Sequence, residues 1–254
     1  MKIASWNVNS LRVRLPHVLQ WLDQARPDVL ALQETKTEDR NFPVAEFEAA
    51  GYRTAFSGQP TYNGVAILAR DPLEVFATSL PEFDDPQKRV LGARINGVAV
   101  LNLYVPNGQS VDSDKYRYKL DWLAQLDWWL GRLLKEQPEL VVLGDFNIAP
   151  EDRDVHDPAA WAGQVLVSEP ERAVFRRLIQ HGLRDSFRLH ESAGGHFSWW
   201  DYRAAGFQRN QGLRIDHILL SAPLAERCAA AGIDREPRAW ERPSDHAPVT
   251  VELT

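Results

Sequence analysis

The stretch Val141-Val142-Leu143-Gly144-Asp145-Phe146-Asn147 runs from an apolar, strand-like segment into a carboxylate and an amide two residues apart. Side chains two apart on an extended chain point to the same side, so Asp145 and Asn147 are expected at one rim of a sheet. Gly144 lets another backbone or a ligand come close. A carboxylate beside a neutral amide can bind a hard cation, orient a water and accept its proton. The same residues also suit an Asx turn at a strand end. The rest of the chain has to decide between the two.

Four other segments repeat the design: Ser5-Trp6-Asn7-Val8-Asn9, Leu32-Gln33-Glu34-Thr35-Lys36, Arg214-Ile215-Asp216-His217 and Ser244-Asp245-His246. Together the five point to one divalent-metal, phosphodiester-cleaving site. An ionised Glu34 at the end of an apolar strand is costly unless it is solvated or paired, so a metal ligand is sensible, and an ion pair with Lys36 serves as well. Asn7 and Asn9, again two apart, can hydrogen-bond a ligand water or a phosphate oxygen, although strand-end Asn is also a turn residue. Asp216 is expected to orient His246, fixing its tautomer and favouring an imidazolium that can stabilise a phosphorane; a purely structural histidine is the alternative. Tyr104, in Leu103-Tyr104-Val105-Pro106-Asn107, can donate its phenol to a phosphate or simply pack. His156, His190, His196 and His217 lack comparable company and read as structural. Phe197-Ser198-Trp199-Trp200-Asp201-Tyr202-Arg203 suits a sugar or base with a phosphate, or core packing in a chain with nine tryptophans.

Residues 2–8 read as a buried strand, a helix follows from about Leu15 to Ala25, and Val29–Leu32 is a second strand. The middle is strand-rich: Tyr52–Phe56, Gly64–Ala69, Leu73–Thr78, and Leu91–Ile95 with Val98–Tyr104 around Asn96-Gly97, a type I′ hairpin signal. Helical spacing runs from Ser113 to about Lys135, closed by Pro138 before the strand Leu140–Leu143, and a second helix covers Pro170–Gln180 with Gly182 as its stop. Short strands return at Phe197–Trp200, Ile215–Ser221, Cys228–Ile233 and Val249–Leu253. Strands outnumber helices without strict alternation, so the expected α/β fold is two mixed sheets packed face to face with helices outside.

With 254 residues, 44 % of them hydrophobic, and no linker, the chain is expected to form a single domain over residues 1–254. A split would separate segments that run from Ser5 to His246. The N-terminus turns polar by its fifth residue and no apolar run is long enough for a bilayer, so a cytoplasmic protein without membrane contact is expected. Cys228 is the sole cysteine, which excludes an intrachain disulfide and a cysteine-based zinc site. A net charge of −6 argues against a broad polycationic nucleic-acid binder, though clustered metal-binding carboxylates account for part of it. Mg²⁺ among them would reverse the local field.

Assembled in order, these residues resemble the exonuclease III family of apurinic/apyrimidinic endonucleases, within the endonuclease/exonuclease/phosphatase superfamily. The segments are Trp6-Asn7-Val8-Asn9-Ser10-Leu11-Arg12, Leu32-Gln33-Glu34-Thr35-Lys36, Tyr104-Val105-Pro106-Asn107-Gly108, Gly144-Asp145-Phe146-Asn147, Phe197 to Arg203, Gly212-Leu213-Arg214-Ile215-Asp216 and Ser244-Asp245-His246-Ala247-Pro248. One is weak; seven in order are specific. The resemblance implies a four-layer α/β/β/α sandwich and hydrolysis of DNA phosphodiesters with Mg²⁺, or Mn²⁺ in its place. The implied substrate is double-stranded DNA with abasic sites or blocked 3′ ends, cut 5′ to the lesion or trimmed 3′→5′, by a monomer.

Carried over by position, Glu34 is the chief metal ligand, with Asn7, Asp145, Asn147, Asp245 and His246 around the metal or its waters. Asp145 positions or deprotonates the attacking water, Asn147 orients it, Tyr104 contacts the phosphate and Asp216 supports His246. Asn9, Arg12, Lys36 and Asn107 fall among substrate contacts. Trp199, Trp200 and Leu213 fall where the family builds its pocket for a base-free sugar, and Arg203 where a side chain enters the duplex. Leu213 occupies a position that is Trp in animal relatives, which places the resemblance nearer the bacterial branch. Two rivals remain: a superfamily hydrolase of another phosphoester, and an RNA-binding regulator that keeps the fold without catalysis.

Overall fold

In the computed structural model, which describes residues 1–254, the chain opens with strand β1 (Lys2–Asn7), helix α1 (Leu11–Ala25) and strand β2 (Val29–Gln33). A short helix α2 (Val44–Ala49) leads to β3 (Arg53–Ser57), β4 (Val65–Ala69) and β5 (Leu73–Ala77), then to the hairpin of β6 (Val90–Ile95) and β7 (Val98–Tyr104). The long helix α3 (Asp114–Glu136) crosses to β8 (Leu140–Asp145). Beyond it come α4 (Pro158–Trp161), α5 (Glu169–Gln180), β9 (Arg184–Asp185), α6 (Ser186–His190), β10 (Trp199–Trp200) and β11 (Gly212–Leu213). The chain closes with β12 (Asp216–Leu220), α7 (Ala222–Ala225), β13 (Cys228–Ile233) and β14 (Val249–Leu253).

One sheet has the order β13-β14-β1-β2-β4-β3 and the other β5-β6-β7-β8-β12-β9. Each holds a central parallel pair, β1 with β2 and β7 with β8, because a helix carries the chain back across the sheet between them. Their inner faces meet in a core that includes Ile3, Ala31, Ile67, Val100, Leu143 and Val251. Helices α1 and α2 cover the outer face of the first sheet, and α3 and α5 that of the second. This is the four-layer α/β/β/α arrangement expected. No helix is long and apolar enough to cross a membrane.

Two local features match the expected chemistry. Asn96 and Gly97 both take positive φ in the β6–β7 turn, as a type I′ hairpin requires. The Ser113 side chain accepts the Tyr116 N–H at the start of α3, a cap that contributes about 1 kcal/mol.

Three boundaries differ from the sequence expectation by more than one residue. Helix α1 starts at Leu11 rather than Leu15, since the Ser10 and Leu11 N–H groups bond to the Glu34 and Thr35 carbonyls and anchor a first turn in which Arg12 and the apolar Val13 are both exposed, off the buried stripe. Strand β8 continues two residues beyond Leu143, through Gly144 (φ +137°), where any side chain would collide with the Leu103 carbonyl. The strand expected over Phe197–Trp200 shrinks to Trp199–Trp200, because the Ser198 hydroxyl turns inward to Asp216. Helices α2, α4, α6 and α7, of four to six residues, went unpredicted, being too short for a helical period to register.

A buried polar bridge joins the sheets beneath one rim. Asn102 on β7 donates to the carbonyls of Leu32 (3.0 Å) and Ala66 (2.9 Å), and its own carbonyl accepts from the Gln33 amide (2.8 Å). These groups have no water to fall back on, so the bridge fixes the relative position of the sheets.

Candidate active site

Parallel strands end at the same rim, and antiparallel neighbours begin there. β1 therefore delivers Asn7, β2 is followed by Glu34, and β7 and β8 end on Tyr104 and Asp145, which are in register. Asp216 begins β12 directly opposite Asp145, and His246 precedes β14. The fold thus gathers at one edge the residues that are scattered in sequence.

Asn7 links the sheets there. Its amide donates to Glu34 Oε1 and to Asp145 Oδ2, both at 2.9 Å, while its carbonyl accepts the Asn9 N–H. Glu34, Asp145 and His246 each offer an atom within 4.8 Å of the others. Two carboxylates converging from separate sheets, with a neutral amide between them, suit a hard divalent cation.

Both ring nitrogens of His246 face carboxylates: Nδ1 lies 2.8 Å from Asp216 and Nε2 lies 3.7 Å from Asp145. Burial alone would lower its pKa, but the Asp216 and Asp145 charges outweigh it and push the value up to about 10. With no cation bound this favours the imidazolium, in which both ring nitrogens carry a proton, while the same ring stands in the group expected to hold the metal. Asp216 Oδ2 also accepts from Ser198 Oγ (2.6 Å), so the orienting carboxylate is itself held.

Asp145 is 1 % exposed. Burial pushes its carboxyl well up from the ordinary range, against the pull of His246. Tyr104 is pushed well above the usual phenol value, first by burial and then by the Glu34 and Asp145 charges, so it stays a neutral donor. The Arg89 guanidinium lies 4.8 Å above its ring and donates to its carbonyl.

Asn147 takes φ +49°, its N–H donates to Asp145 Oδ1, and its amide donates to the Val105 carbonyl. The Asn107 amide donates to its side-chain oxygen at 3.1 Å. Beneath both loops lies Lys119, fully buried, donating to the carbonyls of Asn107 (3.0 Å) and Asn147 (2.7 Å) and paired with buried Glu171. Sequence reasoning missed this clamp, since a lysine on a long helix reads as solvated.

Lys36 bridges Glu34 (3.1 Å) and Asn9 (2.7 Å), so the ion pair foreseen as an alternative for Glu34 coexists with the cation-binding arrangement. Asp245 accepts from the Asn9 amide (3.1 Å) and the Trp199 indole (3.0 Å), and stands outside the Glu34–Asp145–His246 group. Glu34, Lys36, Asn9 and Ser10 all adopt positive φ, a concentration of backbone strain at this rim.

Arg12 is exposed and lines, with Lys36, a cleft of about 560 Å³. Of the aromatic segment, Trp199 is half-buried and Tyr202 exposed, whereas Trp200, bonded to Asn210, is fully buried, as is Leu213. Arg203 is exposed and paired with Asp201. His217, read as structural, is buried, with Nε2 on the Ile148 carbonyl and Nδ1 facing Arg214. Burial and the Arg214 charge lower its pKa to about 4.

Residues 4–246 match the family described as Endonuclease/Exonuclease/phosphatase. The chain is 40 % identical to exodeoxyribonuclease III of Haemophilus influenzae, with all of both chains covered. Among solved structures it is similar to the Neisseria 3′ phosphatase NExo bound to a product DNA hairpin (TM-score 0.96, 46 % identity, 100 % of this chain and 99 % of that one). It is also similar to an AP endonuclease from Archaeoglobus fulgidus (TM-score 0.94, 39 % identity, 100 % and 99 % covered).

Proposed function

The chain belongs to the exonuclease III group of the Endonuclease/Exonuclease/phosphatase family, a family of metal-dependent enzymes, and from that premise we propose a Mg²⁺-dependent DNA repair nuclease. Its reactions are hydrolysis 5′ to abasic sites, 3′→5′ degradation of duplex DNA and clearance of blocked 3′ ends. All three are attack of water on a phosphoester, so one site serves them. The observation that carries the reading is the meeting of Glu34 and Asp145 from two sheets across Asn7, beside an Asp216-held His246.

Glu34 would be the chief holder of the cation, with Asn7, Asp145 and Asp245 around it or its waters. When bound there, a divalent cation supplies Lewis-acid charge relief at a phosphoryl oxygen. The other steps belong to the chain's own residues. The water oxygen attacks phosphorus, the water proton passes to Asp145, whose raised pKa makes it a stronger base, and the P–O bond opposite breaks as the 3′ oxygen leaves and takes up a proton from solvent. Asn147, pinned by Val105 and Asn107, orients that water. Tyr104 and His246 donate to the phosphoryl oxygens as charge builds.

Asn9, Arg12, Lys36 and Asn107 line the approach for the phosphate backbone. Trp199 forms the face against which a base-free sugar packs, with Trp200 and Leu213 supporting it, and Arg203 projects toward the duplex. A single domain over residues 1–254 follows, since the site draws on both ends of the chain.

The test is a duplex oligonucleotide carrying one abasic-site analogue, incubated with Mg²⁺ or with EDTA beside an undamaged duplex and a 3′-phosphorylated one. Mg²⁺-dependent cutting 5′ to the lesion, 3′ shortening and phosphate release are expected. No reaction on any of the three, with Mn²⁺ also tried, overturns the proposal in favour of another phosphoester or a binding role.

A further inference from the structure

Beside the Trp199–Trp200 strand, a cavity of about 490 Å³ opens between the turn Glu236–Ala239 and the loop around Phe207. Its lining includes Arg235, Arg238, Gln208 and Trp240. Neither arginine has a carboxylate within 4 Å, although Asp154, Asp185, Asp201 and Asp127 pair with arginines elsewhere in the chain. Arg238 is 7 % exposed, makes one side-chain hydrogen bond, to the Trp200 carbonyl at 3.3 Å, and leaves its buried Nε without a partner.

Cation–π contact holds both side chains in place. The Arg238 guanidinium lies 5.2 Å from the Tyr202 ring and 5.1 Å from Phe207, and that of Arg235 lies 5.3 Å from Trp200 and 5.2 Å from Phe207. Aromatic faces orient a guanidinium but neutralise none of its charge. Asp245 acts on Arg238 only from beyond ion-pair distance; a buried cation without a paired carboxylate is expensive, and the expense is relieved by an anion. Guanidinium donors match the oxygens of a phosphate.

We propose that this cavity binds a backbone phosphate of duplex DNA, away from the scissile one, gripped by Arg235 and Arg238. This rests on the nuclease reading above. Because the cavity shares the Trp199–Trp200 strand with the reaction centre, a phosphate seated here fixes the register of the duplex relative to the sugar-facing Trp199.

The experiment measures duplex binding against NaCl concentration in EDTA, so that no cation at the reaction centre contributes. Loss of one phosphate contact lowers the slope of log affinity against log salt by about 0.9, and this is expected for Arg235→Ala combined with Arg238→Met. Arg235→Ala alone, on an exposed side chain, shifts the slope the same way and reads the result should the buried substitution unfold the protein. The control Arg132→Ala, an exposed arginine stacked on Trp128 in α3, leaves the slope unchanged; an equal drop there marks a general charge effect and overturns the site. Unchanged slopes in the variants overturn it as well. If inorganic phosphate raises the Tm of the wild type but not of Arg235→Ala while the slopes agree, the cavity takes a free anion and the DNA assignment falls. A wild type that binds no duplex at all takes down the nuclease reading, and this site with it.

Discussion

Strands β1 and β2 bring Asn7 and Glu34 from one sheet, while β7 and β8 bring Tyr104 and Asp145 from the other. The two crossovers share a topology, yet their carboxylates live in different surroundings. The Glu34 side chain keeps 19 % of its surface and touches Lys36 across 3.1 Å. Asp145 keeps almost none, faces His246, and has its pKa raised by burial. A carboxylate in contact with water and a partly exposed ammonium can exchange partners, which suits reversible cation binding. One sealed beside an imidazolium is suited to taking a proton. The division of labour follows from burial rather than from strand order, since both pairs present their residues at the same rim.

The sharpest way to break this contrast is Asp145→Asn, which keeps the shape and removes the base. Turnover is expected to fall about a thousandfold while duplex binding in EDTA persists; near wild-type turnover removes Asp145 from its role. Next in size, Asn102→Ala cuts the bridge between the sheets, removes the side-chain donor to the Leu32 and Ala66 carbonyls, and leaves the Gln33 amide with Ser5 Oγ alone. Unfolding by urea should reveal a loss on the order of 3 kcal/mol, and a loss under 1 kcal/mol would show that the sheets hold register without the bridge. Glu34→Gln is a milder change. Calorimetric titration of Mg²⁺ should show affinity weakened at least roughly tenfold, and unchanged affinity would move the cation away from Glu34.

The smallest effect is one of silence. In the metal-free protein, His246 titrates near 10 and His217 near 4, although both flank Asp216 along the chain or in space. Nuclear magnetic resonance should therefore find neither ring changing charge between about pH 5 and 8, where an ordinary histidine titrates. Their linkage has opposite signs. The raised His246 pKa contributes stability that is complete below about 6.5 and is lost as pH rises toward about 10. The lowered His217 pKa contributes stability that is lost as pH falls from about 6.5 toward about 4. A ring titrating near 6.5 breaks the corresponding pair of contacts.

What could be read from sequence was governed by local geometry. Asp145, Glu34 and Tyr104 stand at strand ends, and an apolar run that stops on a polar residue is visible in one dimension. The Asp216–His246 hydrogen bond was legible as an expectation because a histidine without a partner has little chemistry to offer. Lys119 and Glu171 were not legible: they lie 52 residues apart, and each alone looks solvated. Asn102 stands out as polar within an apolar strand, but its partners on β2 and β4 emerge only when the sheets face each other. The burial of Trp200 depends on how the loop from Asp201 to Gln211 folds over it, and that of Leu213 on Ala149, Val155, Leu166 and Val167, segments for which no periodicity exists. Helix α1 began early because its first turn is secured by carbonyls beyond residue 33, a contact no window around Leu11 contains.

Besides the Trp199 indole on Asp245, the short strands β10 and β11 are tied to the reaction centre through main chain. Trp200 N–H bonds to the Asp245 carbonyl, Ala247 N–H to the Ser198 carbonyl, and Ser198 N–H to that of Leu213. None of these main-chain bonds depends on which side chain occupies 199 or 213. Natural variation in the shape of this wall is thus channelled: exchanges of side chain alter what it accepts while His246 stays where it is. An inserted or deleted residue in the same strands would drag the histidine out of line, so a lineage adapting to new lesions is free to repaint this wall but not to rebuild it.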